Sequence, residues 1–166
     1  MTKKMFNWYV SVWQHKWWVF VYCFQFCWRL FWRAVIHDNS KLSKLERVGY
    51  AKLLPKLKGT TYGTPEYKQL LIELGQTLYE HYQANSHHPE HYADTGHDAS
   101  NSEITYNYPT ALPKMNLYDF VEMFCDWRAA IKKHADGDIV KSIKHNKKRF
   151  HYGDVIESIL LNTVKK

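Results

Sequence analysis

From Phe6 to Ile36 the sequence contains neither proline nor glycine, and so long a stretch without a breaker has one regular solution, an α-helix with room for a single break near Leu30 and Phe31. Within it Trp17 to Trp28 is apolar and aromatic, interrupted only by Gln25, and Lys16 and Arg29 close the run. The run is twelve residues long, whereas a spanning helix needs about twenty. No small-residue cleavage site of the signal-peptide kind follows it. A buried helix in a soluble protein without a transmembrane segment is therefore expected, and interfacial attachment to a membrane is the alternative.

The rest of the chain is also punctuated as helices. A second helical run extends from about Lys41 to Leu54 and is expected to stop at Pro55, with Gly59, Gly63 and Pro65 marking a loop. Leu70, Leu71, Leu74 and Leu78 recur at helical spacing, which predicts a helix over 65–84 that carries His81 on its last turns. Pro89 biases His88 away from helical geometry, so His87 and His88 belong to the exit of that helix. Residues 92–113 are polar, with Gly96, Pro109 and Pro113, and read as a long loop. Leu117, Phe120, Val121, Phe124, Trp127 and Ile131 form an apolar stripe for a helix over 117–134, ended by Asp136-Gly137. Two shorter helices, near 139–146 and 155–164, complete an all-α, single-domain helical bundle.

A chain of 166 residues matches one domain, and 45% apolar content excludes a disordered polar chain. Cys23, Cys27 and Cys125 are too few and too irregular for a secreted disulfide framework, which fits a reducing cytoplasm. The formal charge of +7 is concentrated late: Lys132, Lys133, Lys141, Lys144, Lys147, Lys148 and Arg149 meet only Asp136 and Asp138 in that stretch. An anionic ligand or a nucleic acid suits such a surface, and so does a plain solvated helix face.

Ten histidines are present, several of them at helix ends beside carboxylates. Imidazole and carboxylate donors suit zinc, iron, manganese or cobalt, and a helical bundle assembles such sites from ligands scattered along the sequence. The pair His37-Asp38 lets two neighbouring side chains lean toward one ion. Helix capping competes with that reading, because Asp38 and Ser40 precede a helix.

The order His15, His37-Asp38, then His81, His87 and His88, then Asp126 resembles the HD superfamily of metal-dependent phosphohydrolases. The chain is more closely similar to an uncharacterised family of phage and bacterial proteins related to that superfamily. The matching text is His15-Lys16 with Val19, Trp32-Arg33, His37-Asp38-Asn39-Ser40-Lys41, Glu46, Asn85 with His87-His88, and Glu122-Met123 with Asp126-Trp127. It covers about residues 15–130, and basic helices follow over about 138–164. The resemblance implies a first metal held by His15, His37, Asp38 and Asp126, and a second at His81 with His87 or His88. The glycine-rich signature of cyclic-di-GMP phosphodiesterases does not follow His87-His88. On a regular helix Asp126 lies away from the Phe124 and Trp127 stripe, although Met123 and Ala130 flank it one turn either side.

By that likeness the chain is expected to hydrolyse a phosphate ester of a nucleotide or a nucleotide-derived molecule, with one or two divalent ions. Asp38 would orient the attacking water. Glu46 would act as general acid, general base or partner to a histidine ligand, or else as a surface glutamate paired on its own helix. Lys41, Arg33 and Arg128 are candidates for the substrate phosphate, and Asn85, His88 and His91 for other substrate contacts. Two other classes fit the same residues: a di-iron enzyme that activates oxygen, and a non-catalytic basic protein that binds nucleic acid.

Overall fold

A computed structural model describes residues 2–60, 64–98, 103–133 and 137–165, and the backbone separates into two compact units, Met1–His37 and Asp38–Lys166. Gly63, His134 and Asp136 lie outside the described residues. The structure is all-α apart from one small hairpin.

The first unit is a single helix, α1 (Lys3–Ile36), started by the Thr2 hydroxyl, which accepts from the Met5 amide at 3.3 Å. It runs without the break allowed at Leu30 and Phe31. The expected burial of Trp17 to Trp28 is not found, since no residue of α1 is buried. A lone helix has no partner within its unit, so its rings stack along its own surface instead: Trp18 on Tyr22, Phe20 on Phe24, Phe24 on Trp28. By length and composition α1 is long and apolar enough to cross a membrane. The twelve-residue count stops at Lys16 and Arg29, whereas long basic side chains near the ends of a spanning helix reach the interface and need not end it.

The second unit begins with a 3-10 turn (Asn39–Leu42), followed by α2 (Lys44–Lys58) and α3 (Pro65–Ala84). Pro55 lies inside α2 instead of ending it. A late proline forfeits one backbone hydrogen bond, and the packing of Leu53 against Leu70 and Leu74 carries the helix through that loss. The two helices approach closely at Gly49, where an added Cβ would meet the Thr77 hydroxyl at 2.4 Å. α3 starts on a Thr64 cap with Pro65 in its first turn, and it bends at Gly75, whose φ of 37° favours glycine.

After a second 3-10 turn (Pro89–His91), the stretch read as a long loop contains an antiparallel hairpin, β1 (Asp94–Asp98) with β2 (Glu103–Asn107), in which Gly96 opposes Thr105. Its sequence lacks apolar alternation, so the period-2 signal was absent; backbone pairing and the Tyr106 ring against Tyr82 order it. α4 (Leu117–Ala130) is capped by Asn116, α5 (Ile139–Phe150) by Asp138, and α6 (Asp154–Val164) follows. α5 extends a full turn beyond the expected Asn146, because Phe150 joins Phe124, Ile143, Tyr152 and Leu160 in the larger core.

Candidate metal centre

Asp38 is the first residue of the second unit and has a left-handed backbone (φ 56°, ψ 22°), tolerated by Asp more readily than by most residues. It occupies the capping position of the 3-10 turn but makes no side-chain cap bond. The capping alternative is thereby set aside. Its carboxylate is turned toward the end of α3: Oδ1 lies 3.5 Å from His81 Nε2 and 3.5 Å from His87 Nε2, while Oδ2 accepts from Lys41 Nζ at 2.5 Å. His81 Nε2 in turn lies 3.0 Å from His88 Nε2. Asp38, His81 and His88 each offer a ligand atom, all within 4.8 Å of one another.

These separations suit a shared ion, since ligands about 2.1 Å from one metal at tetrahedral or octahedral angles stand about 3.0–3.5 Å apart. The donor chemistry fits as well. Burial holds His81 below the ordinary imidazole range, and Lys41 adds to this against the opposing pull of Asp38 and Glu46. Burial, then the neighbouring His87 and His81, hold His88 well below that range. Both rings are therefore neutral near pH 7, with a lone pair to give.

The far side of each ring is anchored. His81 Nδ1 donates to Glu46 Oε2 at 2.8 Å, and both side chains are almost wholly buried. Of the roles open to Glu46, the structure places it as the partner of His81, and it excludes a surface pair. His87 Nδ1 faces Glu122 Oε1 at 3.3 Å. A carboxylate behind a histidine fixes the ring's tautomer and turns Nε2 toward the ion, a recurrent feature of metal-ligating histidines. Asn85 Nδ2 ties these elements together by donating to Ser40 Oγ and to the His81 carbonyl, each at 2.7 Å. Asp119, buried in the first turn of α4, accepts from Ser86 Oγ at 2.6 Å and Tyr92 OH at 2.7 Å, and so brackets the segment bearing His87 and His88.

The other residues singled out in the sequence are distributed over several elements. His15 and Arg33 lie on α1 in the first unit, and His37 is that helix's C-terminal cap. Lys41 is engaged with Asp38. His91 Nδ1 donates to the Gln83 carbonyl at 2.9 Å, and Arg128 is exposed beside the Phe124 ring. Asp126 is half-buried and lines a cavity of about 570 Å3 that also exposes His88. One turn earlier on α4, Glu122 reaches His87. Glu122 was present in the matching text without a role, and its spacing of four from Asp126 was the available signal for a shared helix face. Asp119 and Glu90 gave no such signal.

No curated protein and no solved structure matches the chain. A family profile does match, over residues 5–166, and the chain belongs to that family of unknown function, DUF5662.

Proposed function

We propose that the protein is a metal-dependent phosphohydrolase of the HD type, acting on a nucleotide or nucleotide-derived phosphate ester. The observation that carries this reading is the convergence of Asp38 Oδ1 with the Nε2 atoms of His81, His87 and His88, with Glu46 and Glu122 behind two of the rings. Manganese, iron, cobalt or zinc all accept such donors. When bound, the ion supplies Lewis acidity toward a phosphoryl oxygen and lowers the pKa of water. Glu46 keeps the His81 proton on Nδ1, so that Nε2 is the donor atom. Lys41 neutralises Asp38 Oδ2, which leaves Oδ1 to face the ligand cluster and to accept from the attacking water. Asp126 lines the same cavity as His88 and so faces the space a substrate would occupy.

Metal-loaded protein given manganese, cobalt or iron is expected to release phosphate or pyrophosphate from at least one nucleotide, and Asp126→Asn is expected to slow turnover at least tenfold, about 1.4 kcal/mol of barrier. Elemental analysis with a nucleotide panel measures both. Full activity in Asp126→Asn would remove that residue from the mechanism. Oxygen consumption by iron-loaded protein inert on every phosphate ester would replace the hydrolase reading with the oxidative one. Nucleic-acid binding that survives chelation would favour the non-catalytic one.

The same reading places the chain in the cytoplasm, supported by its three free cysteines. Full-length protein is expected in the soluble fraction after lysis at physiological salt. Recovery only with detergent would reassign α1 to the membrane.

A further inference from the structure

The cavity beside the cluster has a wall that the mechanism above does not use. On α5, Lys141, His145 and Arg149 recur every four residues and form one stripe, and all three line the cavity together with Ser142 and Asn146. The lining also includes His88, whose Nε2 belongs to the metal cluster, and the aromatic residues Tyr67, Tyr82 and Trp127. The space is thus lined by cationic and polar groups together with aromatic ones.

Several of the charges around this cavity are already engaged. Arg149 is bonded to the buried Glu90, which also accepts from Tyr108 OH. Lys147, on a different face of α5, is held by Asp154 and Glu157. The Asp138 carboxylate is occupied by the Val140 and Lys141 amides at the start of α5. The Lys141 ammonium makes no ion pair among the described residues. His145 is held below the ordinary imidazole range by burial and then by Arg149, Lys148 and Lys68, which is what a site of positive potential does to a base. Asp126 also lines the cavity.

Size narrows the class of ligand. About 570 Å3 falls within the range of small-molecule sites and far below what a folded nucleic acid occupies. The eight residue steps of helix from Lys141 to Arg149 rise about 12 Å, longer than a single phosphate group. A ligand with several charges along its length and one flat apolar end matches this lining.

We propose that this cavity binds a nucleoside di- or triphosphate, with Lys141 and His145 on its phosphates and its base against the aromatic residues of the lining. Its assignment as the substrate site rests on the phosphohydrolase reading, because His88 is what joins the cavity to the metal cluster. Binding of ATP as the probe, and of adenosine as the phosphate-free control, is measured by calorimetry on the full chain, with metal content read separately. Lys141→Ala and His145→Gln are each expected to weaken ATP at least tenfold, to leave adenosine within twofold of the unsubstituted chain and to leave the bound metal unchanged. Arg149 is kept, because it is tied to Glu90 and its loss would unsettle the fold. Absence of ATP binding, or ATP binding indifferent to both substitutions, overturns the proposal even if the protein holds metal. So does an oligonucleotide that binds more tightly than ATP and is not displaced by it. Conversely, a chain that holds no metal but binds ATP through Lys141 would sustain the cavity and sink the metal centre.

Discussion

Asp38→Asn is expected to lower divalent-metal affinity by about 100-fold or more while leaving the helical circular-dichroism spectrum unchanged. The amide keeps the shape of the side chain and removes the negative charge that sits 3.5 Å from both His81 Nε2 and His87 Nε2. His81→Ala should act as strongly, because it removes the nitrogen that faces both Asp38 and His88. Glu46→Gln touches no ion and should cost only about 10–100-fold, the usual effect of losing the partner behind a histidine ligand. Competition against a chelating dye gives the three affinities, and elemental analysis gives the stoichiometry. The graded order separates a metal centre from a polar knot. If Asp38 merely pairs with Lys41, then Lys41→Ala and Asp38→Asn should behave alike and metal content should not change. Stoichiometric metal retained in both Asp38→Asn and His81→Ala would remove the site.

The helices were legible because their signals are local. Thr64, Pro65 and the leucine spacing define α3 to its observed ends, and Pro89 places His87 and His88 at its exit. The grouping of ligands was not legible in this way. Resemblance separated Asp38 from His81, His87 and His88 as ligands of different ions, whereas the second unit gathers all four side chains. What joins them is a set of bonds across long stretches of chain, Ser40 to Asn85 and Glu46 to His81, and no periodicity carries such pairings. The left-handed backbone at Asp38, which turns its carboxylate away from the capping role, is likewise invisible in a sequence where Asp before a turn normally reads as a cap. Burial was misjudged at Trp17 to Trp28 because an aromatic run states a preference for cover without stating which element provides it. The basic C-terminal segment was read as a total charge, and only the fold divides it into the pairs of Lys147 and Arg149 and the stripe that lines the cavity.

Glu90→Ala is expected to be the most destabilising of the single substitutions considered. Glu90 is 1% exposed in the turn that follows His88, and it is bonded to Arg149 on α5 and to Tyr108 after β2, so one side chain joins three segments distant in sequence. Removing one partner of a buried pair strands the other charge and costs about 3–5 kcal/mol. The Arg149 side chain is 29% exposed, and water offsets part of that loss, so the lower end, about 3 kcal/mol, applies here. For a chain of this size that corresponds to a fall in melting temperature of roughly 6–12 °C. Glu90→Gln keeps a hydrogen-bond acceptor for Arg149 and should lose about half as much. Lys147→Ala removes the pairs from the same helix to Asp154, whose side chain is 91% exposed, and to Glu157, and should lower the melting temperature less than Glu90→Ala does. A second readout follows from position: the turn carrying Glu90 also fixes His88, so Glu90→Ala should weaken metal binding even at temperatures where the chain is folded. Thermal denaturation with and without added metal measures both effects. A Glu90→Ala protein that melts with the unsubstituted chain would show that Arg149 finds solvent at no cost and that the turn is held by other contacts.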